Sequence, residues 1–159
     1  MKILVDADSC PKEARDLIMR RALKLERHLI FVANRAIPAA DGVEMVICPN
    51  SVNSADDRIV ELAQSGDLVV TRDVPLAKRL IEKKVYVMDD RGREINVNNI
   101  NELLSIRNFT VGLADNGMDI ERIPHYGKKE LKHFADTLDR LLTRINKTNL
   151  LPGIVLLSV

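Results

Sequence analysis

Asp6 and Asp8 directly follow the apolar run Ile3-Leu4-Val5, and Asp73 follows a second such run, Leu68-Val69-Val70-Thr71. Acid groups at the ends of buried strands are costly to hold unless they are paired or put to use. Brought to one crevice, several carboxylates raise each other's pKa and stay ionised together only beside a cation. A hard divalent ion with oxygen ligands meets that need, and Mg²⁺ or Mn²⁺ is the usual occupant. Such a site, with no His or Cys ligand nearby, suits phosphate-ester chemistry, in which one or two metals activate water and stabilise the charged transition state.

The other acids have plainer roles open to them. Ser54 with Asp57 three residues on fits a capping box, and Asp56 and Asp57 both suit the positive end of a helix. Asp73 fits an N-cap for a helix that begins at Val74. Asp89-Asp90-Arg91-Gly92 is a turn sequence. Asp67 opens its strand at the opposite edge of the sheet and is excluded. Cys10, among carboxylates and with no His close in sequence, is expected to be a packed residue and not an activated thiol. Asn34, at the end of a strand, is placed to reach the same edge as the acids. His28, His125 and His133 show no metal spacing. Two groups of basic residues, one of Arg122, His125, Lys128, Lys129 and Lys132 and one of Arg72, Lys78, Arg79, Lys83 and Lys84, are ordinary for solvated helix faces, though the second borders Asp73.

The elements that must position these groups alternate. Apolar runs predict strands at 3–5, 29–33, 43–48, 68–71 and 85–88, with the acids at their carboxyl ends. Helical periodicity covers 11–27, a stretch opened by Ser54, a stretch opened by Asp73 or Val74, 98–107 and 128–145. The stretch 108–127 shows no period and is expected to be loop. Pro152-Gly153 is expected to break any helix in the apolar tail. This alternation predicts an α/β fold with a parallel sheet and right-handed crossovers. In an order 3-2-1-4-5, strands one and four are neighbours, the switch point lies between them, and Asp6, Asp8 and Asp73 converge there.

The 159 residues suit one domain over 1–146, with an apolar tail, 147–159, of uncertain role. Apolar residues make up 46 % of the chain and aromatics only 3 %, so the core is aliphatic and an aromatic stacking platform is not expected. A net charge of +1 excludes a global basic field, so any nucleic-acid grip must be local. Two cysteines make no disulfide framework, and with a strand predicted at the start of the sequence and no long apolar run, neither a signal peptide nor a membrane span is expected. A reduced, cytoplasmic setting is expected. Oligomeric state is not legible.

Several segments in order resemble the bacterial YaiI/YqxD family of uncharacterised proteins: Ile3 through Pro11, Val32-Ala33-Asn34, Ser54 through Val60, Asp67 through Ala77, Asp90-Arg91-Gly92, Arg107 and Phe134 through Leu141. The likeness covers about residues 1–145. Ser9 stands where Ala is more common. That family is similar to PIN-like domains, metal-dependent nucleases. The resemblance implies a three-layer fold with a central, mostly parallel sheet of about five strands in the order 3-2-1-4-5. It also implies that Asp6 matches the acid after strand one, Asp57 or Asp56 the acid before strand four, and Asp73 the acid after it. Asp8 is an extra acid of this group.

The leading expectation is a Mg²⁺- or Mn²⁺-dependent phosphodiesterase acting on RNA or DNA. Asp6, Asp8, Asp57 and Asp73 hold the metal, with Asp6, Asp8 and Asp73 at the reaction centre. Asn34, Arg72 and Lys78 are the candidates for holding substrate. One alternative is a phosphatase of the haloacid dehalogenase type, with Asp6 as nucleophile and Asp8 as general acid/base. Another is a non-catalytic RNA-binding or protein-interaction module on the same fold.

Overall fold

The computed structural model describes residues 1–117 and 125–158, the side chains of 149–158 excepted. Six strands form one sheet: β1 (Ile3–Asp6), β2 (Leu29–Ala33), β3 (Glu44–Ile47), β4 (Leu68–Val70), β5 (Tyr86–Met88) and β6 (Glu94–Ile95). The order is β3-β2-β1-β4-β5-β6. The first five strands are parallel, and β6 runs antiparallel to β5. The expected order of five strands is therefore present, with one strand added. At two residues β6 is too short for any alternation to show in the sequence.

Both faces of the sheet are covered, which is why the central strands read as unbroken apolar runs. Ile3, Val5, Leu29, Phe31, Leu68, Val70 and Met88 point to one side, into a core shared with α1 (Lys12–Lys24) and α5 (Lys128–Ser158). Leu4, Ile30, Val32, Val69 and Val87 point to the other, against α2 (Ser54–Leu62), α3 (Val74–Glu82) and α4 (Ile100–Asp115). The period-two alternation of side chains makes this three-layer packing.

Several boundaries differ from the sequence reading. Pro11 is the N-cap of α1, and the helix stops at Lys24 because Glu26 turns left-handed with φ 54°. Ser54 is not an N-cap: Asn53 holds that position in a left-handed conformation, and the Ser54 hydroxyl donates to the Pro49 carbonyl instead. The expected loop over 108–127 is helical through Asp115, while 118–124 lie outside the described residues. Only the first turns of α4 pack on the core, through Ile100, Leu103 and Leu104. Its second half exposes Ile106 and Phe109, so no amphipathic period marks it. Helix α5 is longer than the periodic stretch and is not interrupted at Pro152-Gly153. A proline inside a helix removes one donor and bends the axis without obliging the helix to stop.

A candidate acidic site at the sheet's switch point

The crossovers from β1 and β4 leave in opposite directions along the sheet, so the carboxyl ends of these two neighbours frame a crevice. Asp6 is the last residue of β1. Its Oδ2 accepts a hydrogen bond of 3.0 Å from the hydroxyl of Thr71, one residue past β4. The same Thr71 oxygen accepts from the Asp73 backbone N–H at 3.1 Å. The N–H can only donate, so the single hydroxyl proton of Thr71 goes to Asp6. Burial raises the Asp6 pKa above the ordinary carboxylate value; the Thr71 hydrogen bond works against this, and the charges of Asp73 and Asp8 add to it.

Asp73 is the N-cap of α3, with Oδ1 accepting from the Leu76 N–H at 3.0 Å. The capping role open to it in the sequence is thus filled, and by only one of its two oxygens. Pro75 in the first turn needs no hydrogen-bond acceptor, which fixes where the helix starts.

The acid from α2 that joins this pair is Asp56. Burial, the neighbouring Asp73 carboxylate and the charge of Asp6 push the Asp56 pKa up to about 7, with Arg79 opposing. Asp57, the residue favoured from the sequence, is exposed and turned to Arg79 at 2.9 Å. One helical step of about 100° separates the two positions, so only one can face the sheet edge. The burial of Ile59 and Ala63 sets that rotation.

Asp8 is near enough for its charge to act on Asp6, but its hydrogen bond goes elsewhere. Its Oδ2 accepts from the Asn34 backbone N–H at 2.7 Å, and Arg35 Nε lies 3.7 Å from Oδ1. It tethers the β1–α1 turn to the end of β2. Asn34 takes part through its backbone, and its side chain is exposed. A haloacid dehalogenase-type role asks Asp8 to act beside Asp6, and this tether draws it toward β2.

Arg72 is drawn into the protein. Its Nη2 donates to the Ser9 carbonyl at 2.7 Å and pairs with Asp90, whose side chain is 3 % exposed. Asp90 belongs to the turn after β5, where Tyr126 donates to its carbonyl oxygen at 2.7 Å. Asp89 shapes the same turn by accepting from the N–H groups of Arg91 and Arg93, both at 2.9 Å. The sequence pattern does not by itself pair Thr71 with Asp6 or Asp90 with Arg72. Thr71 carried a signal, since a hydroxyl two residues before an N-cap Asp is placed to bond that residue's N–H. Asp90 follows a strand as the other acids do, and its turn sequence is the plainer reading.

Asp6, Ser9, Arg72, Asp73, Val74 and Arg107 line a cleft of about 330 Å³ above the switch point. Lys78 is exposed on α3 and is not among them. Cys10 is buried below the cleft, and burial pushes its thiol up to about 12, which fits the packed role expected of it. Among the described residues, no group of three or more His, Cys, Asp or Glu side chains is placed to hold a metal ion. Mg²⁺ does not require one, since it is usually held by one or two carboxylates and keeps several waters. Asp6 and Asp73, the two acids that line the cleft, have the hard-oxygen donors that a hydrated ion of this kind takes. Among the described residues, no helix is long and apolar enough to cross a membrane.

Residues 4–144 match the family model described as "Uncharacterized BCR, YaiI/YqxD family". A UPF0178 protein of Treponema denticola is 45 % identical over 147 residues, covering 92 % of this chain and 95 % of the relative. UPF0178 proteins of Pseudomonas putida W619 and Stutzerimonas stutzeri are 42 % and 39 % identical, covering 92 % and 93 % of this chain and 99 % of each relative. No solved structure matches the chain. The domain, apart from its apolar tail, is therefore a member of the YaiI/YqxD family.

Proposed function

We propose that the cleft binds a divalent cation, Mg²⁺ or Mn²⁺, and hydrolyses phosphodiester bonds in RNA or DNA. The observation that carries this reading is that Asp6 and Asp73 line one cleft at the switch point between β1 and β4, with Asp56 of α2 near enough for their charges to raise its pKa. A protein gains no stability by crowding like charges at one sheet edge. A cation at that place removes the repulsion, and the carboxylates then become ligands.

When bound, the cation supplies Lewis-acid charge stabilisation and a more acidic water. The residues of the chain do the rest. Thr71 holds Asp6 in one orientation. The cap on α3 holds Asp73 in place at the edge of the cleft. Asp56, whose pKa burial and the Asp73 carboxylate raise, would have to be ionised to join them as a ligand. The likeness to PIN-like domains noted from the sequence points to the same chemistry at the level of fold and site.

The test is a calorimetric titration of Mg²⁺ and Mn²⁺ into the wild-type chain and into Asp6→Asn/Asp73→Asn, followed by assays on single-stranded RNA and DNA. Cation binding that is lost in the double variant, with cation-dependent cleavage, is the expected result. Absence of cation binding in the wild type would overturn the shared-acid site. Nucleic-acid binding without turnover under either cation would favour the non-catalytic module.

A further inference from the structure

Two arginines line the acidic cleft, Arg72 and Arg107. They are in opposite situations. Arg72 is committed: it pairs with buried Asp90 and donates to the Ser9 carbonyl. Breaking that pair to reach a ligand would leave a buried carboxylate without its counter-charge, at a cost of several kcal/mol. Arg107 is exposed, and its one hydrogen bond is a 3.5 Å contact to the neighbouring Asn108 side chain. Among the described residues it has no carboxylate partner.

The placement of Arg107 follows from the packing of α4. Leu103 and Leu104 lie against the same core as Val74, at the start of α3. Arg107 comes four and three residues later, on the same face and one turn further along. That turn carries it past the edge of the core to the cleft, which it lines together with Asp6, Asp73 and Val74. The other arginines close to the acids are engaged, Arg79 with Asp57 and Arg35 with Asp8.

We infer that Arg107 is the residue that grips the substrate's phosphate, and that Arg72 is a structural clamp joining the turns after β1, β4 and β5. This rests on the phosphodiester reading above and names the residue that gives it an anionic substrate. The planar guanidinium offers a two-pronged donor that matches a phosphate's oxygens, and an exposed arginine beside acids can turn to it without losing an ion pair.

Fluorescence anisotropy of a labelled phosphorothioate oligothymidylate, followed over a salt series with Mg²⁺ present, tests the inference. Arg107→Ala is expected to weaken binding about tenfold and to reduce the salt slope by about 0.7, the value for one phosphate contact on a single strand. Arg107→Lys keeps the slope and loses part of the affinity. Lys132→Ala removes an equal charge from an exposed pair on α5 and serves as the comparison for net charge alone. Equal effects of Arg107→Ala and Lys132→Ala would overturn the role of Arg107 and leave the phosphodiester reading standing. Absence of binding by the wild-type chain would overturn that reading, and the inference with it.

Discussion

The Thr71 hydroxyl donates to Asp6 Oδ2 at 3.0 Å across the seam between β1 and β4, and its own oxygen accepts from the Asp73 N–H. One buried side chain thus fixes the orientation of an acid on one strand and the start of a helix after the next. Thr71→Val keeps the shape and removes both bonds. It is expected to cost about 1–3 kcal/mol, because the Asp73 N–H is left without its acceptor. Urea denaturation measures this, and Thr71→Ser should recover most of it. Cation affinity measured by calorimetry should fall in the Val variant and return in the Ser variant.

Asp56 gives the protein a pH dependence. Its folded pKa, about 7, lies above its unfolded value of 3.8. The folded state therefore holds a proton that the unfolded state has released between about pH 4 and pH 7, and stability falls as pH rises through that window. Asp56→Asn removes the penalty. Its melting temperature should exceed the wild type's at pH 8 and converge on it below pH 4. The gain is on the order of 1 kcal/mol, since water reaches half-buried Asp56 and screens the repulsion. Mg²⁺ should raise the wild-type melting temperature at pH 8 more than at pH 5.

Asp57 provides the contrast. Its pair with Arg79 is exposed on both sides and is worth about 0–1 kcal/mol. Asp57→Asn is expected to leave stability and cation affinity nearly unchanged, while Asp56→Asn lowers the affinity. Calorimetric titration of the two variants side by side decides which acid of α2 belongs to the site.

At the opposite edge of the sheet, Asp67 is 4 % exposed and accepts from the Lys2 N–H at 2.9 Å, the Lys2 ammonium at 2.6 Å and the Gln64 N–H at 2.8 Å. Asp67→Ala leaves those donors without an acceptor and should destabilise the fold by about 3 kcal/mol. A denaturant titration reads the loss, and cation affinity at folded conditions should be unaffected.

Sequence by itself determined the sheet. The runs Ile3-Leu4-Val5, Leu29 through Ala33 and Leu68-Val69-Val70 have the composition of strands covered on both faces, and their alternation with helices leaves few topologies. It also placed Asp6 and Asp73 at one edge, because an acid that ends a strand has no other place to be. Tertiary structure alone decided the remaining partners. Asp56 and Asp57 are adjacent in a helix, and only the rotation imposed by packing Ile59 and Ala63 says which faces the sheet. Asp8 depends on where the β2 loop brings the Asn34 N–H, 26 residues away. Arg72 is consumed by a turn 18 residues on, and Arg107 reaches the cleft through the packing of Leu103 and Leu104 on a core built from other elements. Strand ends are fixed by local pattern. Which charged side chains meet is fixed by contacts distant in sequence, and those carry no local signature.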